Sequence, residues 1–508
     1  MTLGWTPGAE LPNAGAGGPA FARWLQDGWA TTGVVAAISA PVSPASSPLF
    51  GSPDGEAWRL EATATGGSDQ AACLADLRAG RASVVVTGQQ PGFLGGPVLT
   101  LLKVATALAL ARLRTEQGRP TAAVFWCADD DDDLVEALSP VGWDQETGPV
   151  RADAWAEARA GRLPRAMIGP SAARNWCGPG ATLLAAAAAA RPQDPLVSDL
   201  ARLWTRALAE DWDWARLNVA AVRRVFAGQP LVVVRGNDPH LHAAAGSFYA
   251  HLDSARARCV ERARQRGREL AAAGHAVPVA ERSLARHLYT EAGDRRRALG
   301  PADALPSAAS LRPGVLLRSA VQDWLLQPIA VVVGPGEAAY LEQLEPVHAE
   351  LGLTRAPLVP RLFGWLLRAD DDPAPLVAGP RATGLDATGA SALAAAAAAV
   401  AGRDLEDRLV RELGVAPARA ARLARGRARR WERGVAAMVV AEARERRRQE
   451  QEAIPGWLLP DGQRQERRLA AMAAVGALGD GLPAALLAAA RAHLEAGAGG
   501  RWHEYLIG

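Results

Sequence analysis

Four short apolar runs rich in β-branched residues punctuate the chain: Val84 to Thr87, Ala122 to Trp126, Leu231 to Val234 and Ile329 to Val333. Each ends in glycine, acidic or arginine-led polar residues. None alternates apolar with polar, so each reads as a strand buried on both faces. The helical stretches between them predict a parallel α/β sheet. In an open parallel sheet, ligands bind beyond the carboxyl ends of the strands. The residues just after each run are therefore the candidates for chemistry: Thr87-Gly88-Gln89-Gln90, Asp129 to Asp133, Arg235-Gly236-Asn237-Asp238 and Gly334-Pro335-Gly336-Glu337. An Ala- and Trp-rich insertion, about 140–225, separates the second and third runs. A strongly charged and largely helical one, about 240–310, follows the third.

The pattern changes after about residue 375. Asp370-Asp371-Asp372-Pro373 and the Pro/Gly-rich stretch to Gly389 read as a linker. Beyond it, Leu405, Leu409 and Leu413 recur at four, and Trp431, Val435, Met438 and Glu442 recur at four, three and four. Gly414 and Pro417 divide the two segments as a helical hairpin requires. The spacing fits either a coiled coil or plain antiparallel packing. The domain expectation is thus a core over 1–375 and a helical region over 376–508. The arginines from Arg419 to Arg448 read as a solvated basic face.

Composition narrows the function classes. Hydrophobic residues make up 49% of 508, enough to bury a large core. A net charge of +2 argues against a chain built to coat nucleic acid. Cys73, Cys127, Cys177 and Cys259 form no CxxC pair, so neither a disulfide framework nor a zinc site is expected, and a reducing cytosol fits. The first twenty residues lack a basic segment followed by an apolar one, and no apolar window is long enough to span a bilayer. The expectation is a soluble, cytoplasmic protein without a membrane partner.

One residue changes the picture. Among 56 basic residues the only lysine is Lys103. Where arginine serves almost every need for positive charge, a retained ammonium suggests a position that a planar guanidinium does not suit. Lys103 follows the strand Ser83 to Thr87, the glycine-rich stretch Gly88 to Gly96, and a helix opened by Pro97. In that order, the loop and first helical turn offer N–H groups to an anion, with the lysine leaning back towards them. The alternative is a buried lysine paired with a nearby carboxylate.

The run Asp129-Asp130-Asp131-Asp132-Asp133 is the second local feature. Five adjacent carboxylates need screening by water and cations, or raised pKa values. At a strand end, two or three of them could hold Mg2+ or accept a proton, with Lys103 as counter-charge; a solvated loop is the simpler reading. Cys127 reads as a small core residue of the strand. His240 and His242 read as surface histidines.

Val86-Thr87-Gly88-Gln89-Gln90-Pro91-Gly92-Phe93-Leu94-Gly95-Gly96-Pro97, followed by Thr100, Lys103, Phe125-Trp126 and the acidic cluster, resembles the bacillithiol biosynthesis cysteine-adding enzymes, a cysteine ligase family. Further similarity follows in order. It includes Leu316-Leu317-Arg318 with Gln322-Asp323, then Gly334-Pro335-Gly336-Glu337 with Tyr340, Gln343 and Leu344. It ends with Leu459-Pro460-Asp461-Gly462 and Gln465-Glu466-Arg467. The resemblance implies a Rossmann-like core with two connecting insertions and a C-terminal coiled coil that pairs two subunits into a homodimer. The implied reaction joins the cysteine carboxyl to the amine of glucosaminyl malate, with ATP or ADP and Mg2+ as the implied cofactors.

Carried onto this chain, catalytic roles fall to Lys103, Asp130, Asp131, Asp133, Arg318 and Glu337. Binding roles fall to Thr87, Gly88, Gln89, Gln90, Gly92, Gly95, Gly96, Gln322, Asp323, Gly334 and Gly336, with no dedicated metal ligands. The chain also departs from the family pattern. Asp132 stands where a histidine is usual, Arg318-Ser319 replaces Arg-Pro, Val333-Gly334 replaces two glycines, and Leu341 replaces a tryptophan. An acid-base role for the aspartates as a unit, sharing a proton among Asp130 to Asp133, would compensate for the missing imidazole. A related nucleotide-using ligase or transferase with another amine or thiol, and a non-catalytic dimeric scaffold, are the two alternatives.

Overall fold

The structure is a computed structural model that describes residues 3–5, 39, 47–49, 68–163, 167–275, 277–292, 295–300, 303–372, 403–413, 415–429, 455–496 and 504–507. Five parallel strands form the central sheet: β1 (Ser83–Gln89), β2 (Thr121–Cys127), β3 (Leu231–Arg235), β4 (Ala330–Val333) and β5 (Leu358–Pro360). Their spatial order is β5-β4-β1-β2-β3. The pairing sets Val86 beside Val124 and Val331, and Val124 beside Val232. This continuous valine layer is what the unalternating runs require. The chain leaves β1 in one direction and returns on its other side at β4. The order reverses between those two strands, and a crevice opens there. Only β5 had no signal in the apolar pattern. It is three residues long, preceded by Pro357 and ending at Pro360, too short to show a period.

Helix α1 (Leu99–Glu116) is apolar on almost every side, because it lies between the sheet and a later helix rather than on the surface. The first insertion contributes helices Gly178–Ala190, Pro195–Ala209 and Trp214–Val225, with Trp204 and Trp214 fully buried among them. The second opens with a short helix, Pro239–Ala244, and continues into the long α2 (Gly246–Ala272). It then forms an antiparallel sheet of Leu288–Ala292 between Arg295–Ala298 and Leu311–Pro313, where mainly helix was expected. The run Arg295-Arg296-Arg297 reads as solvated charge in sequence and hides the strand. Helices α3 (Val315–Leu326) and α4 (Pro335–Glu350) flank β4 and pack on each other.

The chain divides into two compact units. Of the described residues, Asp372, 403–413, 415–429 and 455–456 belong to one and all others to the other. Residues from Trp457 onward therefore rejoin the sheet-containing unit rather than continue the helical region expected over 376–508. Arg361 meets Glu466 bidentately at 2.9 and 2.8 Å, with both side chains buried. Leu366 N–H donates to Gln465 Oε1 at 2.7 Å, and Gln465 Nε2 donates to Leu366 O at 3.0 Å, so one amide side chain imitates a strand neighbour. Helix α5 (Leu482–Glu495) covers α1. Glu504–Ile507 pairs with both Gly364–Leu366 and Leu3–Trp5.

The other unit is helical over 403–411 and 417–429 and carries the ion pairs Arg408–Glu412 and Arg411–Asp407. Trp431, Val435, Met438 and Glu442, and the linker from Pro373 to Gly389, lie outside the described residues. Among the described residues, no single helix is long and apolar enough to cross a membrane.

Candidate active site

A cleft of about 570 Å³ opens at the carboxyl ends of β1 and β4, at the switch in strand order. Lys103 stands in its wall, 2% exposed. Its ammonium donates to Gly88 O at 2.8 Å and Gln89 Oε1 at 2.9 Å, and meets Glu337 Oε2 at 2.6 Å. Three acceptors around one point suit an ammonium and not a planar fork. Burial draws the pKa of Lys103 down, and Glu337 opposes it. Of the two readings of this lysine, the geometry is that of a buried lysine on a carboxylate, and that pair faces the cleft. Glu337 Oε2 also accepts the Gly334 N–H at 2.9 Å, closing the first turn of α4.

The anion cradle expected over Gly88 to Gly96 does not form as such. Gly88, Gln89 and Gln90 line the cleft, whereas Gly92, Gly95 and Gly96 do not. Gly92 N–H donates to Asn218 Oδ1 at 3.2 Å, and the Gly95 and Gly96 N–H groups turn back onto Gly92 O. Phe93 and Leu94 are fully buried plugs. The N-terminus of α1 is occupied as well, with Val98 N–H donating to Leu469 O at 2.8 Å. Thr87 is likewise structural. Its hydroxyl donates to Val332 O at 2.9 Å and ties β1 to β4.

The aspartate run is neutralised by arginines. Asp129, fully buried, accepts from Arg235 Nε at 2.7 Å and Asn237 N–H at 2.6 Å. Burial pushes its carboxyl up to about 6, against the pull of Arg235. Arg318 bridges Asp130 at 3.3 Å and Asp131 at 3.0 Å. Burial works upward on Asp131, but Arg318 and Arg296 outweigh it and hold the carboxyl low. Asp132 accepts from Arg296 at 2.5 Å. Asp133 caps the one-turn helix Leu134–Leu138, accepting the Glu136 N–H at 3.0 Å, and is placed for structure rather than catalysis. Each of Asp130, Asp131 and Asp132 meets an arginine, a contact that the expectation of a self-contained carboxylate unit did not include. Among the described residues, no set of three or more His, Cys, Asp or Glu side chains converges as a metal site.

The opposite wall comes from α3, whose Arg318, Ser319, Gln322 and Asp323 line the cleft, and from the second insertion. There Arg296 lies 4.5 Å over the Tyr289 ring. Arg355, Arg361 and Arg467 complete the β4 side. Sequence reading missed Tyr289, Arg296, Arg355 and Arg361 as cleft residues. Arg467 alone had a signal, in the Gln465-Glu466-Arg467 motif. Asn237 belongs to a buried network, where Arg312 donates to its side chain and backbone oxygens. His240 is exposed as expected, but His242 is buried. His242 Nε2 donates to Gly236 O at 2.7 Å, Nδ1 accepts from the Tyr249 hydroxyl at 2.8 Å, and burial draws the imidazole down to about 4.

The family model described as "Bacillithiol biosynthesis BshC, N-terminal Rossmann-like domain" matches residues 60–304 and 302–362. The chain belongs to the BshC family. The matched span holds the sheet, both insertions and most of the cleft wall. A relative in Shouchella clausii named "Putative cysteine ligase BshC" is 27% identical over 323 residues, covering 56% of this chain and 55% of that protein. Relatives of the same name in Geobacillus thermodenitrificans and Koribacter versatilis are 27% and 28% identical, covering 57% of this chain and 57% and 56% of theirs. The chain spans about half the length of the curated relatives it matches. The positions where this BshC-family chain departs from the family pattern, Asp132, Ser319, Val333 and Leu341, all line the cleft.

Proposed function

We propose that the chain is a ligase that joins the carboxyl of cysteine to the amine of glucosaminyl malate, the last step of bacillithiol synthesis. The observation that carries this reading is the cleft itself. It brings Gln89, Lys103, Asp131, Arg318 and Glu337, which lie far apart in sequence, to one switch point in a BshC-family core. A carboxylate and an amine do not condense unaided, because the carboxylate is a poor electrophile. A bound nucleotide would supply the activation.

The N-terminus of α4 fits phosphates, since open space stands where a Gly336 side chain would be and Lys103 lies beside Glu337 in the same wall. Arginines already hold Asp129 to Asp132, and Asp133 caps a helix, so the run does not present a set of open carboxylates for Mg2+. Arg318, braced by Asp130 and Asp131, offers a fixed positive charge to an anionic substrate group. Glu337 is placed to accept the proton that the attacking amine sheds. Pairing of two copies through the helical unit belongs to the same proposal. A monomer by light scattering at micromolar concentration overturns that part alone.

The test is the thiol profile of a strain lacking the gene. Loss of bacillithiol with accumulated glucosaminyl malate, restored by the intact gene, is the expected result; an unchanged profile overturns it. The departures at Asp132 and Ser319 favour a second reading, a nucleotide-using ligase for another amine or thiol. Its mark is turnover of a different acceptor by the purified protein. Asp131 and Asp132 line the same cleft as Gln89, which speaks against a bare scaffold.

A further inference from the structure

Asp323 is a buried acid in the cleft wall whose carboxylate is only partly met. Its side chain is 5% exposed, its Oδ2 lies 3.3 Å from His348 Nε2, and its Oδ1 has no hydrogen-bond partner among the described residues. Nearby buried acids each meet an arginine: Arg235 meets Asp129, Arg361 meets Glu466, and Arg318 meets Asp130, whose Oδ1 is also without a partner but which does not line the cleft. A buried carboxylate oxygen without a donor is costly, and its place at a cleft marks a position that a ligand's donor would satisfy. One turn earlier on the same face of α3, Ser319 also lines the cleft, and its buried hydroxyl is likewise without a partner. Across from them, His348 Nδ1 donates to Leu344 O at 3.2 Å, which fixes the ring, and its Nε2 lies 3.3 Å from Asp323 Oδ2 without forming a hydrogen bond.

We propose that Asp323 Oδ1 and Ser319 Oγ form a subsite for a primary ammonium group, with His348 as the positioning residue that leaves Oδ1 free for it. This deepens the ligase reading and rests on it for the identity of the ligand. A ligase that consumes the carboxyl of an amino acid is left with the ammonium as the charged handle by which to hold it. An ammonium brings three donors, so it can satisfy the carboxylate and the hydroxyl together. A site built to pair with a charged donor discriminates strongly against analogues that lack it. Ser319, where the family pattern has proline, adds a partner that the proline cannot supply.

The experiment is calorimetry and thermal melting of the full chain with L-cysteine, L-serine and L-alanine, each against its deaminated counterpart: 3-mercaptopropionate, 3-hydroxypropionate and propionate. The wild type is expected to prefer at least one amine over its counterpart by about tenfold or more. Asp323→Asn should erase that preference, Ser319→Ala should reduce it, and His348→Asn should weaken amine binding while leaving the deaminated ligands unaffected. Without ligand, Asp323→Asn should melt no lower than the wild type, because it removes an unpaired buried charge. Should that variant not fold, Asp323→Glu and Ser319→Ala carry the same comparison.

No preference for any amine in the wild type overturns the proposal, as does an undiminished preference in the Asp323 variants. A preference for serine or alanine that depends on Asp323, without cysteine turnover, keeps the subsite and removes the ligase reading.

Discussion

Two strand–glycine–helix units sit side by side in this protein, and they are put to opposite uses. After β1 the chain passes through Gly92, Gly95 and Gly96 into α1; after β4 it passes through Gly334 and Gly336 into α4. In the first unit the donors are consumed. Asn218 takes the Gly92 N–H, Leu469 takes the Val98 N–H, and the Gly95 and Gly96 N–H groups return to Gly92 O at 3.1 Å. Gly95 turns at φ +85°, and a Cβ there would lie 2.9 Å from Met472 Cε. In the second unit Glu337 holds only the first N–H, and nothing stands within 4 Å of where a Gly336 Cβ would be. A glycine-rich turn before a helix is thus an anion site only when the rest of the chain leaves it uncovered. The C-terminal segment after Trp457 covers the first turn and leaves the second open.

The largest test of this contrast is to release that segment. Arg361 and Glu466 are its buried clamp, and breaking such a pair on one side costs about 3–5 kcal/mol. Glu466→Ala should lose that much in urea denaturation and uncover the β1 loop. Arg361→Met with Glu466→Leu should recover most of it, since apolar residues can replace a buried pair. Acid probes the same clamp without mutation. Burial acts upward on Glu466, but Arg361 and Arg464 bring its carboxyl from the ordinary 4.5 down to about 2. The folded value lies below the unfolded one. The contribution of this group is therefore full above about pH 4.5 and lost as pH falls towards 2. Denaturation followed across that window should show a slope that Glu466→Gln abolishes; an unchanged slope would assign the acid sensitivity elsewhere.

Lys103→Arg tests the wall that the two units share. A guanidinium must displace Gly88 O, Gln89 or Glu337 to fit, so about 1–3 kcal/mol of stability and most of the turnover should go. Wild-type kinetics in that variant would remove Lys103 from the chemistry.

The glycines themselves sharpen the comparison further. Gly95→Ala should cost about 1–2 kcal/mol through its positive φ and Met472, with ligand affinity unchanged in the folded fraction. Gly336→Ala should leave the melting temperature within a degree or so, because its surroundings are open, yet raise the KM for nucleotide. The reverse pattern would return the phosphate site to the β1 loop. The smallest effect belongs to Asp133→Ala, which removes a helix cap worth about 1 kcal/mol and should leave turnover intact.

Much of the fold was legible because burial on both faces leaves a local mark. Val84 to Val86 and Val331 to Val333 could be read as strands, and the residues after them as candidates, without any contact being known. The site was legible in identity but not in role. Lys103 was visible as the sole lysine, and its carboxylate partner was one of two readings, yet Glu337 lies 234 positions away and only packing selects it. Arg296 and Arg355 left no mark, because in a chain with so many arginines a functional one looks like the rest. The aspartate run misled for the complementary reason. Its charge was plain, but the arginines that neutralise it come from α3, β3 and the second insertion.

The sequence by itself determined the parallel sheet, its strand ends and the family, since these depend on local periodicity and on motifs carried by neighbouring residues. Tertiary structure alone decided which glycine turn is open, which acid is paired and which is not. Hydrogen-bond satisfaction in the interior is settled between segments hundreds of residues apart, and a donor's availability depends on what else has been folded against it.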